Sequence, residues 1–472
     1  MRVTIDRALR LLRGEGTVDL ESSHRLVDKV VEFSRKESKK NPAYSFRKDP
    51  TPVPIPLPRI MRTSPLEVLR QVGVATAFDG NSPFAAVSRH WAQLRYCATM
   101  ETKSGRLAVS ALGNDVVYHH KVAQSEYLGI GFALVVAREI LRRQYPNWEF
   151  HPVDAEYALT RGIPEAGSAN QLNGTQSRPD YFLIGRPNSG RGGLKIVVLE
   201  CKGTHSEGEQ QAVRQLAKAC TQVRSVEIEG HDLSSLMCVS RLLRSGIKIL
   251  VIDPPGDADL WSGTPGELNA LLDGTIEEPP EFFSVRPPAV SEPEEPDSQT
   301  ASAGEASEDT ESPEEELRTP HVVTVPRASR NWFAQVLART FASSVLAFAG
   351  DDKAAADYRL PRRYEGQSGQ QGLPLDEPIE VERSASISMQ DGFRARGTSY
   401  TMPLTGDRHL EVFRGIEEGI YADLGEQRLS SYFQTSRRFW DKWRHRSRRQ
   451  ASDNTTISVG RDGTVLAIRV RG

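Results

Sequence analysis

The chain has 472 residues, 38% hydrophobic and 26% charged, which is too long for one ordinary domain and apolar enough for packed cores. Its formal net charge of -2 hides a sharp asymmetry between segments, and four cysteines (Cys97, Cys201, Cys220, Cys238) without Cys-x-x-Cys or His/Cys spacing support neither a disulfide framework nor a zinc finger. No apolar run reaches membrane-spanning length and MRVTIDRALRLLRGEG lacks the apolar core of a signal peptide, so a cytoplasmic, multidomain protein without a membrane partner is expected.

In chain order, residues 1 to about 48 are charged and amphipathic. Val27, Val30, Val31 and Phe33 fit one helix face after Asp19-Leu20-Glu21, with the basic cluster Arg35 to Lys40 at the helix end. Pro50 to Pro58 (PTPVPIPLP) must be extended and is expected to act as a rigid spacer. Residues 65 to 117 combine a short helix from Pro65 to Val72, an aromatic stretch around Trp91 and Tyr96, and a strand-like Arg106 to Leu112. Residues 65–117 are expected to belong to an accessory layer packed on a central domain, within an N-terminal accessory region of residues 1–117.

Lys121 to Arg143 lacks proline and ends in basic residues, the pattern of a long helix. Glu149 to Leu159 reads as a strand. Then two apolar runs, Tyr181 to Ile184 and Ile196 to Leu199, flank a loop rich in Pro, Asn, Ser, Gly and Arg, which predicts a hairpin. With the turn centred near Gly190, Asp180 and Glu200 are equidistant from it and fall at the same end. Period-two alternation puts Lys202 on the face of Glu200 and turns Cys201 away. From Glu207 to Val226, apolar residues recur at helical spacing, and Gly246 to Asp253 reads as a buried strand.

Two carboxylates beside a dry sheet call for a hard cation such as magnesium or manganese, and a neighbouring lysine can orient water and stabilise charge on a phosphoryl oxygen. Pro179-Asp180 followed by Glu200-Cys201-Lys202 resembles the signature of the PD-(D/E)XK nucleases, the restriction-endonuclease-like superfamily. The resemblance covers about residues 118 to 255. It implies an α/β fold with an αβββαβ core, a mixed sheet flanked by helices, and a magnesium-dependent nuclease. It further implies Asp180, Glu200 and the carbonyl of Cys201 as metal ligands, with Lys202 positioning or activating the attacking water. Glu126 resembles the acid that many members contribute from the first helix; alternatively it is a solvated first-turn glutamate favoured by the helix dipole. Gln215 matches the position of a substrate-touching glutamine in exonuclease-like members, with Gln211 and Gln222 as competitors, although Ala219 stands where those members carry an aromatic. All three also read as surface glutamines. For the central trio the alternative is a turn aspartate and an exposed ion pair on a sheet edge.

Other motifs carry little. Gly129-x-Gly131 lacks the third glycine of a dinucleotide loop, no Gly-x-x-x-x-Gly-Lys-Ser/Thr phosphate loop occurs, and His119, His120 and His205 have no partners at ligand spacing. From about Glu277 to Thr319 the chain is rich in Pro, Glu, Ser, Thr and Ala, the composition of a disordered acidic linker. Beyond it, Trp332 to Ala349 reads as an apolar helix, Glu365 to Gly372 as a loop, and Ile379 to Met389 and Arg408 to Phe413 as strands. Gln427 to Arg449 reads as a helix with Arg437, Arg438, Lys442, Arg444, Arg446, Arg448 and Arg449 interleaved with Phe439, Trp440 and Trp443. Thr456 to Val470 reads as a hairpin about Asp462-Gly463. The basic face fits a nucleic-acid contact, and the aromatics fit either base stacking or a core.

The organisation expected is therefore an N-terminal accessory region (1–117), a nuclease-like domain (118–276), an acidic linker (277–320) and a separate α+β C-terminal domain (321–472). The activity expected is phosphodiester hydrolysis, of DNA ahead of RNA because most family members cut DNA, in a restriction or phage-defence setting. Flanking regions would choose the target or couple cutting to a protein partner. The alternative is a catalytically silent fold that binds nucleic acid or protein.

Overall fold

The computed structural model describes residues 4–41, 44–46, 49–77, 85–164, 178–187, 192–286, 321–359, 383–389, 392–443 and 455–471. The chain is mixed α/β. Among the described residues, ten strands form one mixed sheet. From one edge it runs Met100–Lys103, Arg106–Val109, Gly16–Glu21, Gly246–Ile252, Ser235–Leu243, Leu194–Thr204, Tyr181–Pro187 and Trp148–Asp154. Ile60–Thr63 also pairs with Gly16–Glu21, and Asp259–Trp261 with Leu194–Thr204.

The half of this sheet that carries the candidate site is built from consecutive elements. The Tyr118–Gln144 helix leads into Trp148–Asp154, which is antiparallel to Tyr181–Pro187, itself antiparallel to Leu194–Thr204. The Glu209–Gln222 helix then crosses over to Ser235–Leu243, which lies parallel to Leu194–Thr204. A parallel neighbour needs such a crossover, and the amphipathic Glu209–Gln222 segment supplies it by burying Ala212, Val213, Leu216, Ala217 and Cys220.

Several sequence expectations are corrected. The strand beside Leu194–Thr204 is Ser235–Leu243; Gly246–Ile252 is the next one out, antiparallel to it. Glu149 to Leu159 is not one strand: extended chain ends at Asp154, whose carboxylate accepts from the Tyr157 amide (2.7 Å) and caps the Ala155–Arg161 helix. Asp19-Leu20-Glu21 belongs to a strand whose Val18 and Leu20 point inward, and the following helix starts after Ser23, whose Oγ accepts from the Leu26 amide. Residues 1–117 are therefore not merely a layer on the sheet; they supply four of its strands. The Pro50–Pro58 stretch separates nothing. Thr51 bridges Asp253, the Val53 amide donates to Ser22 Oγ (2.9 Å), and Val53 is buried. The acidic segment lies outside the described residues from 287 to 320, but before it Ser284–Arg286 pairs with Val322–Val325, so the chain there is structured.

In the C-terminal part, Arg330–Phe348 forms the expected apolar helix, buried on nearly every side. A separate antiparallel sheet follows in the order Arg383–Ser388, Arg394–Pro403, His409–Glu417, Thr464–Arg471, Thr455–Val459. Its last two strands are the predicted hairpin, with Gly463 at φ +79° in the left-handed region that the turn requires. The Glu365 to Gly372 loop and Arg444, Arg446, Arg448 and Arg449 lie outside the described residues. No helix among the described residues is long and apolar enough to cross a membrane.

One contact fixes the site to its supporting helix. A Cβ added at Gly203 would lie 1.9 Å from the carbonyl oxygen of Ser125, and one at Gly129 would lie 3.0 Å from the Lys202–Gly203 backbone. The helix and the strand thus touch main chain to main chain, which only glycine permits. Gly203→Ala should force them apart and lower thermal stability by about 1–3 kcal/mol, seen as a reduced midpoint in denaturant; a change under about 0.5 kcal/mol counts against this packing.

Candidate active site

The hairpin register pairs Tyr181 with Leu199, so Asp180 lies opposite Glu200. The equal spacing about position 190 predicts this placement; the turn itself, residues 188–191, is outside the described set. Ile196, Val197, Val198 and Leu199 are all fully buried, each worth about 1.5–3 kcal/mol relative to exposure, so the strand that delivers Glu200 is firmly anchored.

The two acids lock each other through the backbone. The Asp180 amide donates to Glu200 Oε2 (3.1 Å), and the Cys201 amide donates to Asp180 Oδ2 (2.7 Å). Lys202 Nζ sits 2.5 Å from Glu200 Oε1. Glu200 is fully buried, whereas the Lys202 side chain keeps 24% of its exposure, so the amine opens toward solvent while the acid does not. This excludes the alternative of an exposed ion pair on a sheet edge.

Electrostatics follow from that burial. Burial, and then the adjacent Asp180 charge, push the Glu200 carboxyl up to about 8 against the pull of Lys202. Burial also raises Asp180, opposed by Lys202, the Cys201 amide, a hydrogen bond with the Glu200 side chain and Arg178. At neutral pH the pair therefore holds a proton on Glu200. Burial pulls the Lys202 ammonium down, but Glu200 and Asp180 outweigh it and hold the amine above its ordinary value, so Lys202 is a cation.

Such a pair suits a divalent ion. Two buried carboxyls held above their ordinary values are relieved when a cation replaces the proton, and oxygen donors match magnesium or manganese. Asp180, Glu200 and the Cys201 carbonyl are the residues that could hold it. Among the described residues no set of three or more His, Cys, Asp or Glu side chains is grouped for metal binding. The Cys201 thiol takes no part: burial, and then Asp180, raise its pKa well above the ordinary range.

The other expected site residues are distributed differently. Glu126 is exposed and sits eight residues into a helix that begins at Tyr118, which removes the first-turn reading; its neighbour Ser125 is the residue pressed against Gly203. Gln215 Nε2 donates to the Gly203 carbonyl (3.2 Å), so this glutamine reaches the strand next to Lys202 and is not a plain surface residue. Gln222 Nε2 donates to the Arg178 carbonyl (3.4 Å), and Gln211 is exposed. Asp154, which the sequence reading passed over, pairs in register with Tyr181, and burial pushes its carboxyl up to about 6. Its only signal was an acid ending an apolar strand.

Arg437, Arg438 and Lys442 are exposed on the Leu429–Trp443 helix, while Phe439 and Trp443 are buried against Phe393. Arg444 lies outside the described residues. This helix does not meet the Asp180 site. Its Phe433 packs on His151 and Arg186, six residues along the Tyr181–Pro187 strand from Asp180, or roughly 20 Å at strand rise.

Comparison with protein-family models, with curated proteins and with solved structures finds no match to this chain.

Proposed function

We propose that the chain is a metal-dependent nuclease of the PD-(D/E)XK type, hydrolysing phosphodiester bonds of DNA in preference to RNA. The observation that carries this reading is the junction of Asp180, Glu200 and Lys202 at one end of one hairpin, with Glu200 buried and Lys202 charged and partly open. The order from Tyr118 to Leu243 supports it: apart from the inserted Ala155–Arg161 helix and the short Val226–Ile228 and His231–Asp232 strands, it runs helix, three strands, helix, strand, the core order the resemblance implies.

In this reading magnesium or manganese supplies positive charge against the phosphoryl oxygens when bound. Lys202, being protonated, acts by donating: it orients the attacking water and stabilises the oxygen on which charge accumulates. A water oxygen forms the new bond to phosphorus while giving up a proton to solvent, and the sugar oxygen leaves with the electron pair of the broken phosphorus–oxygen bond and takes up a proton from solvent. Gln215 and the Ser125–Gly203 contact hold the Lys202 segment in position. Restriction or phage defence and a protein partner for the flanking regions belong to the same proposal, and a cytoplasmic setting goes with them.

Incubation of the purified chain with plasmid, linear duplex, single strand and RNA should give magnesium- or manganese-dependent cleavage that a chelator abolishes. Binding of nucleic acid with no cutting under any of these conditions would favour the catalytically silent alternative.

A further inference from the structure

At the far end of the same hairpin lies a cavity of about 750 Å³, within the size of small-ligand sites and bounded by the strand ends at Asn147 and Arg186 and by the Leu429–Trp443 helix. Four arginines line it (Arg186, Arg437, Arg438, Arg461) against two carboxylates, Glu149 and Asp441. Glu149 is already engaged by Arg138 (2.9 Å) and Arg461 (3.1 Å), and Asp441 lies 3.8 Å from Arg437. Arg438 has no hydrogen-bond or ion-pair partner among the described residues, and Arg186 is held by neutral acceptors only. Its Nη2 donates to Asn269 Oδ1 (2.8 Å), its Nη1 reaches the Ser430 carbonyl (3.5 Å), and its guanidinium stacks 4.9 Å over Phe433.

A half-buried guanidinium with no carboxylate in hydrogen-bonding contact is unusual, because buried charge is normally paired directly; Asp273 acts on Arg186 only through its charge. Burial pulls Arg186 down to about 10 against the opposing charge of Asp273, so an anion placed in direct contact with it would be favoured. The aromatic content is equally specific. Arg461 lies 5.1 Å over Trp440, giving a second guanidinium-on-ring pair, and the buried His151 ring, held neutral because burial pushes it down to about 4, packs against Phe433. Paired guanidinium and aromatic planes offer stacking faces to a flat heterocycle.

We propose that this cavity binds a free nucleotide, its phosphates on the unpaired arginines and its base stacked on the guanidinium and ring faces. A long strand is the poorer fit, because the cavity has the volume of one small ligand and a buried floor at His151. The inference does not rest on the cleavage reading, since the cavity is remote from Asp180.

The test is calorimetric titration of the full chain, with chelator present so that nothing is cut. The probes are ATP, GTP, CTP, UTP, AMP, adenosine, pyrophosphate and an unphosphorylated ten-nucleotide single strand. At least one nucleoside triphosphate should bind, adenosine and pyrophosphate at least about tenfold more weakly, and Arg438→Glu should weaken that nucleotide at least about tenfold. Arg438 is exposed and partnerless, so its variant should keep the wild-type circular dichroism and melting point; Arg186→Met tests the second anchor. Absence of any nucleotide binding at about 1 mM overturns the proposal, as does affinity unmoved by either variant. Pyrophosphate as tight as the triphosphates reduces the cavity to an anion site, and a tighter single strand makes it a strand groove; both outcomes reject the nucleotide assignment.

Discussion

Replacing Lys202 by methionine should lower cleavage at least about 100-fold, the size expected when one donor to a developing oxyanion is removed, while leaving the protein folded. Loss of one member of a buried ion pair ordinarily costs several kcal/mol because the other charge is stranded. Here the partner can escape that cost. Glu200 already prefers its proton, with a value near 8 set by burial and by Asp180, and Lys202 is one of the few groups pulling it down. Without the amine Glu200 simply stays protonated, so no charge is stranded and the hairpin keeps its hydrogen bonds from the Asp180 and Cys201 amides. The expected pattern is a melting point near wild type, nucleic-acid affinity within a few-fold, and catalysis lost. Asp180→Asn should lose catalysis comparably by weakening the proposed divalent site. Methionine at 202 cutting within about threefold of wild type would be incompatible with the proposed chemistry.

The local geometry of this site was legible because it depends on contacts near in sequence. Tyr181 to Ile184 and Ile196 to Leu199 announce a hairpin by composition, and symmetry about the turn fixes which residues stand opposite. The Arg330–Phe348 helix and the Asp462-Gly463 turn were readable for the same reason. What escaped is non-local. Nothing in Gly16–Glu21 says that it will pair in parallel with Gly246–Ile252, more than two hundred residues away. Ser235–Leu243 is buried on both faces and carries polar Ser240 and Arg241, so it lacks the alternation that marks a half-buried strand. The Pro50–Pro58 stretch was extended as its prolines require, yet composition cannot reveal that Thr51 and Val53 dock on the sheet. Arg186 and His151 became interesting only when the C-terminal helix brought Phe433 to them.

Asp462 presents the largest expected effect on stability, and it shows how the two ends of the chain depend on each other. In the sequence it marks only a turn. In the fold it is fully buried and lies 3.4 Å from Arg70 Nη1 and 3.1 Å from Arg138 Nη1, while also accepting from the Thr464 amide (3.1 Å). Arg70, itself 1% exposed, donates further to Glu67 (2.6 Å) and Thr464 Oγ1 (2.5 Å). One carboxylate thus compensates guanidinium groups from the Pro65–Ala75 helix and from the long helix beneath the candidate site. Burial works to raise the Asp462 carboxyl, but Arg70 and Arg138 outweigh it and hold it well below the ordinary aspartate value of 3.8. A depressed carboxylate contributes stability that is present above its unfolded value and is lost as pH falls through the folded one, so this contribution is intact at neutral pH. Asp462→Asn keeps the shape but leaves Arg70 and Arg138 with only Glu67 and Glu149 as counter-charges, and losing two buried charge-assisted contacts should destabilise by about 3–5 kcal/mol. Chemical denaturation of the wild type and variant measures this directly, and a loss under about 1 kcal/mol rejects the network as a structural tie. Pairing the change with Arg70→Met should recover part of the loss, because it removes a guanidinium left short of counter-charge.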